Sequence, residues 1–292
     1  MRLGVVILPE QPWSEAEGIW RDAEQLGFSH AWTYDHLAWR ELRDSPWFGA
    51  VPVLAAAATV TSRLRLGPLV ANPNFRHPVP FAREVLALDD LSEGRLNLGI
   101  GAGGRGWDAS MLGQEPWSPS ERAERFAEFV GLLDRLLTEP EVSANGRYYS
   151  AEGARSHPGC RQHPRVPFVV AATGTRAMEV VARHGQGWVT TGPRGAEFPV
   201  PAQAGAAGVA EQLRRLGSAC QRAGRDVGEL DRFVLTGPVL DQGLSSAQHF
   251  ADTVGAYQAV GVTDLVVHWP RPSPPYQGER SRFESVISAI LG

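Results

Sequence analysis

The chain of 292 residues is 43% hydrophobic and 21% charged, enough to bury a large core, and its net charge of −4, with arginine and no lysine as its basic residue, leaves no basic footprint for nucleic acid or an anionic membrane surface. Its two cysteines, Cys160 and Cys220, lie far apart without metal-ligand spacing, so neither a disulfide framework nor a metal site is expected. The opening MRLGVVILPEQPW carries an apolar run too short for a signal peptide or a membrane span, and a cytoplasmic chain is expected.

The continuous apolar run at 3–8, ended by a proline, reads as a strand buried on both faces. A helix follows, with Ser14 as cap, Glu17 three positions on, and an apolar stripe through Ile19, Trp20, Ala23 and Leu26 up to Gly27. The alternation continues with strand 29–34, helix 50–61, strand 64–71, helix 79–91 and strand 95–100. Helix 120–137, opened by Ser120, leads to a short hairpin around NGRYY at 145–149. Strand 167–172, helix 175–184, strand 187–191, helix 206–223, strand 232–240, helix 245–259, strand 263–268 and helix 281–290 complete the chain. Eight strand–helix pairs in strict order indicate a single (β/α)8 barrel domain, a TIM barrel, over 1–292. Irregular stretches at 104–119, 139–166, 192–205 and 270–280 read as loops, the first, third and last of them shaping a substrate pocket.

In such barrels the chemistry sits where strands end and lead into helices. Those ends carry Glu10 and Trp13, Asp35, His36 and Trp39, Ala71, Asn72 and Phe75, Ala102, Gly103, Gly104 and Trp107, Thr173 and Gly174, Thr190, Thr191 and Gly192, and His268 and Trp269. No Cys/His/carboxylate set among them has metal-ligand spacing, and neither a GxSxG elbow nor a phosphate-cradling GxxxxGK[ST] loop is present. Aromatic and glycine surfaces suit a flat conjugated cofactor. The Thr173-Gly174-Thr175 and Thr190-Thr191-Gly192 turns offer amides and hydroxyls to an anion.

The fourth strand ends in LNLGIGAGG, with glycines at 99, 101, 103 and 104. Lacking Cβ atoms, they are expected to form the floor of a cofactor pocket. Gly99, Gly101 and Gly104 also match G-x-G-x-x-G, but the residues after them read as a loop and not as an apolar helix, which argues against a dinucleotide fold.

The succession LGFSHAWTYDH, SRLRLGPLVANPNFRHP, LDDLSEGRLNLGIGAGG, ERFAEFVGLLDRLL and VVAATGTRAMEVVARHGQGWVTTG resembles the bacterial luciferase-like oxidoreductases over nearly the whole chain. That resemblance implies a barrel binding FMN or the deazaflavin F420, with the ring near the third and fourth strand ends, over a bulge with a non-proline cis peptide around 69–72. It also implies a phosphate held by the Thr173-Gly174 and Thr191-Gly192 turns. PEQPW and DHLAW look most like the F420-dependent branch, which assigns Asp35 to the ring, His36 to proton transfer and Trp39 to the substrate wall, and makes Glu10 a second functional group. Trp13, Phe75, Trp107, His268 and Trp269 complete the expected pocket.

The position of that branch's second glutamate falls on Gly104, and a chain without lysine cannot build a lysine-rich sugar-phosphate pocket. Reduction of an activated C=C or C=N bond, with hydride from reduced F420 and a proton from His36, is therefore the favoured reading. Two alternatives stay open: an FMN-dependent monooxygenase using FMNH2 and oxygen, and a non-catalytic flavin-binding or partner subunit. The resemblance further implies a homodimer. The 192–205 loop is short for the family and leaves room for a bulky small-molecule substrate of natural-product or peptide-derived type, and a separate F420 or flavin reductase is expected to regenerate the cofactor.

Overall fold

The computed structural model describes residues 1–104, 106–115, 117–193 and 195–292. Parallel strands β1 (Arg2–Val6), β2 (His30–Thr33), β3 (Arg65–Pro68), β4 (Leu98–Ile100), β7 (Phe168–Ala171), β8 (Gly187–Thr190), β9 (Asp231–Leu235) and β10 (Asp264–His268) form one eight-stranded sheet in the order β3-β2-β1-β10-β9-β8-β7-β4. Parallel bridges Leu66–Leu96 and Ala71–Ile100 join its two edges, so the sheet closes into the expected barrel. The hairpin around 145–149 is present as antiparallel β5 (Val142–Asn145) and β6 (Ser150–Ala154).

Helices α1 (Trp13–Gln25), α2 (Ala50–Val60), α3 (Pro78–Leu91), α5 (Pro119–Thr138), α6 (Thr175–His184), α7 (Ala202–Arg222), α8 (Ala247–Ala259) and α9 (Arg280–Leu291) surround the strands. Alternation along each strand sorts the core into two layers. Val5, Leu66, Leu98 and Phe168 point outward to the helices, while Val6, Trp32, Leu69, Val169, Phe233 and Val266 fill the barrel. At the N-terminal end of the barrel, the Trp32 indole donates to His30 Nδ1 at 2.6 Å, which leaves His30 Nε2–H to donate to the buried Asp264 at 3.0 Å. Arg2 closes this plug from outside with two hydrogen bonds to Asp264.

Among the helix starts that differ from expectation, three are set by a proline. The first is set by Pro12, whose carbonyl accepts from Glu15 and Ala16, so Ser14 lies inside the helix. Ser118, two residues before Ser120, caps α5 in a reciprocal box with Glu121, because Pro119 is suited to the first helical position. Pro201 likewise starts α7 at Ala202, shortening the preceding loop. A single helical turn, α4 (Trp107–Ser110), interrupts the stretch read as loop, and Arg105 within that stretch lies outside the described residues. None of the described helices is long and apolar enough to cross a membrane.

Candidate functional site

At the C-terminal mouth a cavity of about 230 Å³ opens between the ends of β3, β4, β7 and β8, lined by Leu69, Val70, Ala102, Ala171, Ala172, Thr173, Ala177, Val189, Thr190, Thr191 and Leu235. Its floor is small and apolar and its edge carries threonines. The Leu69–Val70 peptide is cis, within the expected stretch.

The glycines next to it do two different jobs. A Cβ on Gly99 would lie 2.1 Å from the Pro68 carbonyl oxygen, and one on Gly101 would lie 2.7 Å from Val70 Cγ2. Both are therefore needed for the close approach of β3 and β4, which corrects their reading as bare floor for a ligand. Gly103, at φ +72°, packs against the Asn74 side chain, and only Gly104 of the four faces open space.

On the β2 side of the mouth, His36 Nδ1 lies 2.9 Å from Oδ2 of Asp108, a buried residue of α4. The other Asp108 oxygen accepts from the Leu37 amide at 2.8 Å. An ionised carboxylate only accepts, so Nδ1 carries a proton and Nε2 is the nitrogen left to exchange one. Asp35, next in sequence, turns inward to the Arg76 guanidinium, with contacts of 2.6 and 2.9 Å. Burial pushes its carboxyl upward, opposed by Arg76. Arg76 itself stacks on Phe75 and Phe81. Asn72 is also spent locally, accepting from the Asn74 amide and donating to the Asp35 carbonyl.

Across the mouth, Tyr34 Oη lies 2.8 Å from His268 Nε2, and Tyr276 stacks on the His268 ring with centroids 3.5 Å apart. Burial disfavours the imidazolium and lowers His268 to about 3, so the ring is neutral near pH 7. Its Nδ1 is buried beside Gly237 with no hydrogen-bond partner among the described residues, and its Nε2 shares one hydrogen bond with the Tyr34 hydroxyl. Burial likewise raises Tyr34, and pushes Tyr276 to about 12. Trp39 packs against Tyr34, Trp47 and Tyr276 in this aromatic wall. Glu10 spends both oxygens on Arg271, at 2.6 and 2.7 Å, and Arg271 also donates to the carbonyls of Ser273, Pro274 and Pro275. The carboxylate thereby anchors the loop that presents Tyr276.

The remaining expected residues divide. Thr173, Thr190 and Thr191 all line the cavity, the Thr190 hydroxyl held by Gln212 and the Gly192 amide, and Gly174 caps α6. Trp107 sits under Arg43 beside Asp108. Ala71 is part of the barrel closure. Trp269 packs outward on Phe283 of α9, and Trp13 joins the same outer layer, so neither belongs to the mouth. Asp108, Tyr34, Tyr276 and Arg271 were not anticipated; a carboxylate in the segment after the strand-4 glycines was the one available signal.

The luciferase-like monooxygenase family profile matches residues 1–261. The chain is 37% identical over 180 residues to an F420-dependent glucose-6-phosphate dehydrogenase of Beutenbergia cavernae, a match covering 60% of this chain and 52% of the relative, and it thus spans about half the length of the first curated relatives it matches. It is 25% identical over 276 residues to a 5,10-methylenetetrahydromethanopterin reductase of Methanopyrus kandleri, covering 90% and 73%. The structure of an F420-dependent secondary alcohol dehydrogenase in complex with an F420–acetone adduct shares the fold, with TM-score 0.81 at 15% identity over 99% of this chain and 98% of that one. Profile and fold together place this chain in the luciferase-like monooxygenase family.

Proposed function

We propose that the protein is an F420-dependent oxidoreductase acting on a small-molecule substrate, with hydride passing between the deazaflavin and an activated C=C or C=N bond. The observation that carries this reading is the His36–Asp108 pair, an imidazole set by a buried carboxylate on the C-terminal side of the barrel, the same side as the apolar cavity.

The cavity suits a flat ring: Leu69, Val70 and Ala102 offer a surface free of charge, and Thr173, Thr191 and the Gly174 turn at the start of α6 would hold the phosphate, the expected Gly192 amide being spent on Thr190. When bound, F420 supplies or takes up a hydride. The protein's part is orientation and proton supply. As imidazolium, His36 gives the Nε2 proton to the reduced substrate, and Asp108 compensates the ring's charge and fixes its tautomer. In the reverse direction the neutral ring accepts that proton. Trp39 and Tyr34 wall the substrate side. Glu10, neutralised by Arg271, acts as an anchor and not as a base. The F420-dependent relatives support the choice of cofactor, and a homodimer served by a separate F420 reductase is part of the same reading.

An anaerobic incubation with reduced F420 and a panel of enones and imines tests it. Reoxidation of F420 that depends on protein and acceptor, and is lost in H36N, is expected. Oxygen consumption with FMNH2 in place of this activity would instead establish a monooxygenase.

A further inference from the structure

Outside the barrel mouth a groove of about 880 Å³ runs between the loop after β3, the start of α5 and the β5–β6 hairpin. Arg125, in the second turn of α5, lines it while only 5% exposed. One of its amino groups donates to Asn74 Oδ1 at 2.5 Å, and its guanidinium carbon lies 5.0 Å from the centre of the Trp117 ring. Its Nε has no hydrogen-bond partner. The neighbouring arginines differ: Arg147 and Arg176 both pair with Glu124, and Arg76 pairs with Asp35. Among the described residues no carboxylate pairs with Arg125.

A buried guanidinium held by one neutral acceptor and one ring is under-compensated, because a charge taken out of water is costly unless a counter-ion offsets it. The same groove is lined by Tyr149, whose hydroxyl is buried and without a partner. Two unspent donor groups thus lie buried in the wall of one groove, which also includes the rings of Phe75, Trp117 and Tyr148. Of the two carboxylates at the groove, Glu121 is engaged in the α5 cap with Ser118, leaving Glu115.

We propose that this groove binds a carboxylate or phosphate group carried by an aromatic or elongated ligand, with Arg125 as counter-ion and the Tyr149 hydroxyl as second donor. Asn74, which accepts from Arg125, also donates to the Gly104 carbonyl at 3.4 Å and so ties the groove to the glycine loop after β4. The anion is either the acidic side chain of the cofactor or an acidic group on the substrate. The site itself does not depend on which cofactor is used.

Calorimetric titration of the full chain with benzoate and with inorganic phosphate tests the proposal, using wild type, R125Q and Y149F, each first checked for fold by circular dichroism. Saturable binding of at least one probe is expected, weakened about tenfold or more in R125Q and severalfold in Y149F. Y149F keeps the inference testable should R125Q fail to fold. F420 displacing the bound probe assigns the site to the cofactor, and F420 binding without displacement assigns it to an acidic substrate. Absence of saturable binding to wild type, or binding that neither variant weakens, overturns the proposal.

Discussion

The Tyr34 hydroxyl lies 2.8 Å from His268 Nε2 inside the barrel mouth, and burial keeps that imidazole neutral down to a pH of about 3. An exposed histidine titrates near about 6.5, so between these values the unfolded chain binds a proton that the folded chain does not. The stability contributed here is complete above the unfolded value and is lost as pH falls through it toward about 3. Urea denaturation should therefore show wild type losing about 3 kcal/mol more than H268Q between neutral pH and about pH 4. Equal losses in the two proteins would remove His268 as the acid-sensitive group.

The glycines at the β3–β4 seam separate packing from binding. A Cβ on Gly99 would meet backbone that cannot move aside, whereas one on Gly104 meets nothing within 4 Å. G99A is expected to lose several kcal/mol, of order, or fail to fold, as overpacked sites do. G104A should keep its melting temperature, and any effect it has should appear in cofactor affinity alone. Thermal denaturation of both variants decides this.

Glu10 and Arg271 form a two-pronged pair with side chains 14% and 8% exposed. In E10Q the guanidinium stays buried without its counter-ion, and a stability loss of about 2–4 kcal/mol is expected, with an increase in KM from loosening of the Tyr276 loop. A general base would behave differently: E10Q would then cut kcat steeply and leave the melting temperature in place.

On the proposed mechanism Asp108 acts through His36, with which it is in hydrogen-bond contact. D108N should lower kcat by about 10–100-fold with a smaller change in KM. The double variant H36N/D108N should be no slower than H36N alone, because the carboxylate has nothing left to orient. Additive losses would mean that Asp108 works independently of the imidazole.

Most of the barrel was legible because each strand and helix declares itself locally. Apolar runs of four to six residues alternate with amphipathic stretches, so the elements fall where expected, although β3 and β9 end three and five residues earlier than expected and β4 begins three residues later. Helix starts shifted where a proline followed or supplied the cap, as at Ser118-Pro119 and Pro201. The site was less legible because its partners meet only through closure of the sheet. His36 and Asp108 are 72 positions apart, and Glu10 and Arg271 are 261 apart. A sequence read locally assigns His36 and Glu10 similar chemistry, and only their partners separate a proton-exchanging imidazole from an anchored carboxylate. The glycine-rich end of β4 misled for a related reason, since two of its glycines face a neighbouring strand that local sequence does not reveal.

The most direct test of the account is equilibrium titration of the purified protein with F420 and, separately, with FMN, followed by quenching of tryptophan fluorescence. Binding of F420 at about micromolar Kd, with FMN weaker by about tenfold or more, is the predicted result. Tighter binding of FMN would contradict the cofactor assignment and withdraw the proton-transfer role given to His36.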